Sequence, residues 1–397
     1  MTQLHNATPL PAGYTTGLMK NGRNCLVIVA KATYDFPADR QGDVVFSPEQ
    51  QPLFETDAYA GEPGYSAPIS ENDYPPLKRR CDVVLLNTVA HAPEGEPIPH
   101  MDVGVRIGPW EKRLRVVGDR RWHHRWMKRY APTEPEPFVH MPIGYDNAYG
   151  GIAIHPDAEP DEGAPAYRPN PVGRGYLAYD DRRHIEDNPL PNTEAPDQPI
   201  QTPYDDYPPM AFGPVARNWL PRSDWGGTYD EHWQEHHKPL LPDDFDERYY
   251  QCAPPDQWID YPHGGETVTL TGLTPEGETR FALPRREVPM QVIFTNGDRH
   301  NLNPVIDTLV IDPTHRRLTL TWRARIGLRH DIHEVDLLIV GRPTPGWERA
   351  RMMDKPYWDL HDLNAIRAMF ERRWAQEEKM RRKSEQAAAQ SPMDANP

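Results

Sequence analysis

Cysteine, long apolar runs and positive charge are all scarce in this sequence, and each shortage excludes something. Only Cys25, Cys81 and Cys252 occur in 397 residues. They are odd in number, far apart and form no C-x-x-C, so neither a disulfide framework nor a cysteine zinc site follows, and a reducing compartment fits. The longest apolar runs, "CLVIVA" and "LLIV", fall far below the roughly 20 residues that a membrane span needs. The opening "MTQLHNATPLPAGY" has no basic region followed by an apolar one, so no secretory signal is visible and a cytoplasmic location is expected. Lys and Arg number 44 against 59 Asp and Glu, a net charge of −15. That balance argues against nucleic acid or an anionic membrane as partner. No G-x-x-x-x-G-K-[ST], G-x-G-x-x-G or G-x-S-x-G occurs, so no cofactor is implied.

Proline is in excess. Its 46 residues are more than twice the usual share of about 5%. Proline forbids long helices and central ladders, so much of the chain must be ordered irregular loop. Hydrophobic residues at 37%, with 11 Trp and 18 Tyr, supply a substantial core, and aromatics among the prolines point to pinned loops. The length suggests two or three domains.

Strand patterns dominate both ends. "NCLVIVAKATYDF" (24–36) is β-branched and extended, and "PADRQGD" turns it into "VVF". "CDVVLLNTVAH" (81–91), "MDVGVRI" and "KRLRVVG" read as an antiparallel meander, the last two joined by "GPWE". Strands return in "GETVTLTGLTPEGETRFALP", a hairpin around 274–277, then in "MQVIF", "VIDTLVID", "RLTLTWRARI" and "IHEVDLLIV". Between them, 121–263 is proline-broken and irregular. Leu363, Ile366, Met369, Phe370 and Trp374 share one helical stripe. The expected architecture is mainly β: an antiparallel, sandwich-like core over 1–345, with strands at about 24–120 and 264–341. A helical extension with a loose tail would occupy 346–397.

The stretch "YDEHWQEHHKP" holds His232, Glu235 and His236 in the H-x-x-E-H order of inverted zinc peptidases. Histidines four apart share one helical face, as a tetrahedral site requires. Pro239 ends the helix within about one turn and no third ligand follows. Trp233 reads better as the anchor of a short helix capped by Asp230 or Thr228. Asp243, Asp244 and Asp246 in "PDDFDE" invite comparison with hard-metal ligands or an acid pair, but such carboxylates usually cap helices. The glycines of "GRG" (173–175) and the pairs at 150–151 and 226–227 suit positive φ.

The ordered phrases "KATYDF", "KRLRVVGDRRW", "MPIGYDNAYGG", "RPNPVGRGY", "LPNTEAP", "FGPVARNWLPR", "GGTYDEHW", "LPDDFDERYYQCAPPDQ" and "GETVTLTGLTPEGETRFALP" resemble one family. It is an uncharacterised-domain family encoded beside type VI secretion spike (VgrG) and PAAR-type effector genes. The resemblance covers about 31–284. It implies a non-catalytic adaptor or chaperone that holds an effector, through its PAAR-like N-terminal region, and helps load it onto the spike. No metal or catalytic residue is implied. The alternatives are a hydrolase using His232/His236 or Asp243/Asp244/Asp246, and an exported structural spike component.

Partner-binding candidates follow from interface chemistry. Trp219, Arg222, Trp225, Tyr229 and Trp233 form an aromatic and basic segment, and Trp, Tyr and Arg are favoured anchors. Arg113 and Arg115 alternate along one strand face, where they would steer an acidic client. Arg120 is expected to pair internally beside Asp119. Arg168, Asn170, Asn192 and Glu194 are expected to satisfy loop backbone where no ladder exists.

Overall fold

Alternation explains the central strand of the fold. In Asn24–Asp35, the even-numbered Leu26, Ile28, Ala30, Ala32 and Tyr34 point to one side, and Cys25, Val27, Val29, Lys31 and Thr33 to the other. Arg317–Gly327 pairs antiparallel with it along eleven residues and repeats the pattern. Leu318, Leu320, Trp322 and Ala324 join the first set, and Thr319, Thr321 and Arg323 lie opposite. These two strands sit inside a seven-stranded sheet in the order Trp258–Ile259, Cys81–Leu85, Val305–Asp312, Arg317–Gly327, Asn24–Asp35, Ala12–Leu18, with Val45–Phe46 paired to Asn24–Asp35. The computed structural model describes residues 2–126, 129–154, 163–180 and 182–355, together with 357, 374, 378 and 379.

Two further sheets share the main core. Thr193–Glu194, Trp110–Val117, His100–Ile107, Thr267–Thr271 and Glu278–Ala282 form a five-stranded antiparallel sheet. Gln3–Asn6, Val335–Val340, Met290–Phe294 and Arg299–Leu302 form a four-stranded one. Leu26, Val105, Leu270, Val292, Leu320 and Leu338, drawn from all three sheets, belong to one buried apolar cluster. The protein is mainly β, as the alternation predicts.

The meander expected from 81 to 117 does not form as a unit. His100–Ile107 and Trp110–Val117 make the hairpin, but Cys81–Leu85 leaves it and runs parallel to Val305–Asp312 in the large sheet. Cys81, Val83, Leu85 and also Val84 are buried, and a strand covered on both faces belongs inside a sheet. Gln3–Asn6 likewise pairs parallel with Val335–Val340. Segments from both ends of the sequence therefore interleave, which makes 1–341 one compact unit; 342–397 is a second. Strands at 3–6, 12–18 and 299–302 were not visible in the sequence pattern. In the second unit, Pro345–Met352 is helical, capped by Thr344. Of the stripe at 363–374, only Trp374 lies among the described residues, and it is 73% exposed. No helix among the described residues is long and apolar enough to cross a membrane.

The irregular middle is held by buried polar side chains. Asn170, fully buried, donates from Nδ2 to the carbonyls of Tyr145 (2.8 Å) and Tyr149 (3.0 Å). Gly150 and Gly151 sit against that same loop at φ +147° and +105°, where a Cβ would lie 2.1 Å from the Asn170 carbonyl and 2.4 Å from that of Gly173. Close approach of "AYGG" to "RPNPVGRG" is thus possible only with glycine. Asn192 donates to Val117 O and Asp119. Arg120 pairs internally as expected, but with Glu194 at 3.0 Å. Glu194 also accepts the Ile200 amide.

Candidate functional site

The second face of the large sheet would ordinarily meet water. Here the segment 47–78 and parts of the middle cover it and leave a cleft of about 480 Å³, within the range of ligand sites. Lys31, Val84, Thr308, Val310, Thr319 and Thr321 form its strand-borne surface. Phe54, Ala58 and Ile69 come from the covering segment, and Leu86, Pro214 and Cys252 complete the apolar lining. Asp312, His315 and Arg317 stand at its more exposed end.

Three buried cations meet three buried carboxylates along one side. Lys31 is ion-paired to Asp73, donates to Pro52 O at 3.1 Å, and lies 4.3 Å from the Phe54 ring centre. Asp73 also accepts the Phe54 amide at 2.7 Å, which fixes the covering segment to the strand. Lys78 reaches Asp82 at 2.7 Å and Thr308 Oγ1 at 3.1 Å. Arg323 binds Asp307 at 2.5 Å and donates to the carbonyls of Asp73 and Pro75. A register shift between Ile306 and Thr308 sets Asp307 in a bulge, which re-aims its carboxylate towards Arg323. Nearby, Glu71 takes Arg217 and Arg222 on Oε1, while its buried Oε2 has no hydrogen-bond partner among the described residues.

Burial and pairing act in opposite directions on these groups. Burial pushes Lys31 below the usual lysine range even with Asp73 beside it. Burial also works against charge on Lys78, but the Asp82 carboxylate wins and holds Lys78 above that range. Burial pushes the Cys252 thiol well up, so the sulfur is no ready nucleophile. Burial opposes the Asp57 charge, yet Arg217 at 2.8 Å and the Asn72 amide bring its carboxyl below the usual range.

The residues singled out as partner contacts are dispersed. Trp219 is fully buried and packs edge-to-face on Tyr145 at 5.2 Å, so it anchors a loop and is closed to a partner. Arg222 is also buried, committed to Glu71 and to the carbonyls of Val215 and Tyr249. Trp225 is half-buried between Trp258 and Arg248. Tyr229 is 52% exposed and meets half-buried Trp233 at 4.7 Å. Arg113 and Arg115 do lie on one strand face, but Asp102 takes both, Arg115 at 2.8 Å and Arg113 at 3.5 Å. That single carboxylate offsets one of the two steering charges.

The H-x-x-E-H stretch forms a six-residue helix, Glu231–His236, with Asp230 as the cap: its Oδ1 accepts the Trp233 amide at 2.9 Å. His232 and His236 are exposed, with their rings stacked 4.7 Å apart. Asp244 accepts both the amide and the hydroxyl of Thr228, and Asp246 caps Glu247–Tyr250. Asp243 faces His237 at 3.5 Å. The cleft was missed by sequence reasoning. Its signal was present: Lys31, Asp82 and Asp307 stand within mostly apolar strands, where unpaired charge is costly.

Residues 21–323 match a family model described as an uncharacterized protein conserved in bacteria, DUF2169. The chain belongs to this family. All residues lining the cleft, from Lys31 to Arg323, fall inside the matched span, which runs further than the 31–284 carried by the quoted phrases. No curated protein and no solved structure matches the chain.

Proposed function

We propose that the protein is a non-catalytic adaptor and chaperone for a type VI secretion effector, holding the effector's PAAR-like region before it is loaded onto the spike. The ordered phrases of the resemblance support this reading. The observation that carries it is the cleft: apolar lining from Phe54, Ile69, Leu86 and Val310, beside cations that are already matched by carboxylates. A surface of that composition favours a segment of polypeptide, whose apolar side chains take the lining and whose polar groups meet the rim. Catalysis would ask for a group poised to attack or to exchange a proton. The thiol here is instead pushed up by burial, Asp244 is engaged by the Thr228 amide and hydroxyl, and Asp246 caps Glu247–Tyr250. Client contact would extend past the cleft, since stable interfaces bury about 1,600 Å².

Co-expression with a type VI effector that carries a PAAR-like N-terminal region tests the proposal. The two should co-purify, and the effector's soluble yield should rise with adaptor concentration, because binding stabilises the bound form by mass action. An effector equally soluble alone, with no complex recovered, would overturn the reading.

A further inference from the structure

A hairpin outside the cleft brings exposed aromatic and basic side chains together. Trp122–Arg125 pairs antiparallel with Arg129–Pro132. Its base is fixed: Trp122 is buried in a cluster with Tyr149, Ile185, Leu190, Ile200 and Tyr207. The Trp122 amide donates to Asn188 O, and its carbonyl accepts the Asp187 amide. At the far end the chemistry changes. Trp126 is 86% exposed, more than any other large apolar side chain among the described residues. Arg125 and Arg129 stand directly opposite one another across the two strands, both exposed. Neither is paired with a described residue.

Two like charges facing each other across a strand pair destabilise it. A chain with fifteen more acids than bases (59 − 44) has carboxylates in excess, yet the carboxylate beside this hairpin, Glu186, accepts the His124 amide and faces Arg182 at 3.9 Å, and takes neither Arg125 nor Arg129. An exposed tryptophan adds a second cost, paid in water contact. Arginine and tryptophan are also the side chains that most often dominate protein interfaces. We propose that this hairpin tip is a docking element for an acidic protein surface: the Trp126 ring fills an apolar notch, and carboxylates around it take Arg125 and Arg129. The inference rests on the adaptor reading for the identity of the partner, an acidic patch of the effector client.

The net negative charge of the chain favours a protein over a polyanion. Nucleic-acid binders typically make about 6–10 phosphate contacts, and basic clusters that hold anionic lipid use about 4–8 Lys or Arg. Residues 121–132 hold four bases, Arg121, Arg125, Lys128 and Arg129, fewer than a nucleic-acid site uses and no more than the lower bound for a lipid cluster, on a body whose net charge of −15 repels both. They suffice for a protein hot spot, where a few residues dominate.

The test is interferometry of the full chain against the co-expressed PAAR-type effector at two salt concentrations. Trp126→Ala should weaken binding about thirty-fold or more, the size of a hot-spot loss. Arg125→Gln with Arg129→Gln should weaken it further at low salt and flatten the salt dependence. Both variants should melt with the wild type, because the altered side chains are exposed. Vesicles of phosphatidylserine with phosphatidylcholine, and duplex DNA, should bind no better to wild type than to the variants. Unchanged effector affinity in both variants would sink the hairpin inference and leave the adaptor reading standing. Hairpin-dependent binding to vesicles or DNA would overturn the choice of partner. Failure of wild type to bind the effector would remove the adaptor reading and this inference with it.

Discussion

Arg323 and Asp307 form a buried pair whose members have little value apart. Replacing Arg323 with Ala leaves Asp307 uncompensated and frees the carbonyls of Asp73 and Pro75. Breaking a buried pair from one side costs about 3–5 kcal/mol, and urea unfolding of Arg323→Ala should show a loss of that size. A loss under about 1 kcal/mol would mean the pair behaves as a surface bridge. Asp57 gives the pH dependence. Its folded carboxyl lies below the unfolded value, so the stability it contributes is present above about pH 4 and lost as pH falls through the folded value. Asp57→Asn should therefore flatten the fall in melting temperature below about pH 4; an unchanged acid limb would contradict the assignment. Lys78 titrates at the other end: raised above the lysine range, it holds its contribution at neutral pH and loses it only in strong alkali. At this scale the sequence was legible in type but not in partner. A lysine or arginine inside an apolar strand signals a buried pair, yet Asp73 lies 42 residues from Lys31, and no local pattern specifies that distance.

Short elements separate the two kinds of aromatic in the Trp219–Trp233 segment. Trp219 is sealed against Tyr145, whereas Tyr229 is half open. Trp219→Ala should cost about 3–5 kcal/mol, and Tyr229→Ala should stay within about 0.5 kcal/mol. Equal effects on chemical denaturation would show that the segment is packed otherwise. In the helix Glu231–His236 the cap matters more than the histidines. Asp230→Ala should cost about 1 kcal/mol, while His232→Ala with His236→Ala should leave the melting temperature nearly unchanged. A double variant that lost a stoichiometric zinc by elemental analysis, and melted early, would restore the peptidase reading. The motif itself was legible and so was its weakness, since Pro239 limits the helix. Which tryptophan faces water was not: proline-broken loops have no period, so the sequence offers no inside and outside.

Over the whole molecule, alternation in Asn24–Asp35, Arg317–Gly327 and Thr267–Thr271 was enough to read a β protein. The interleaving of its ends was not, because Cys81–Leu85 pairs with Val305–Asp312 across more than two hundred residues and nothing local encodes a parallel partner. The cleft arises from that interleaving: its surface is assembled from strands near 31, 84, 310 and 321, and its wall from the segment carrying Phe54 and Ile69. Ile69 is 47% exposed on the wall, so it can be changed without emptying the core. The central claim is that this cleft holds the client. Calorimetry of the effector's N-terminal fragment against wild type and Ile69→Glu tests it most directly. The account predicts binding to wild type with a negative heat-capacity change, and at least about thirty-fold weaker binding to Ile69→Glu at an unchanged melting temperature. Equal affinity for the two proteins, or no heat from folded wild type, would contradict it.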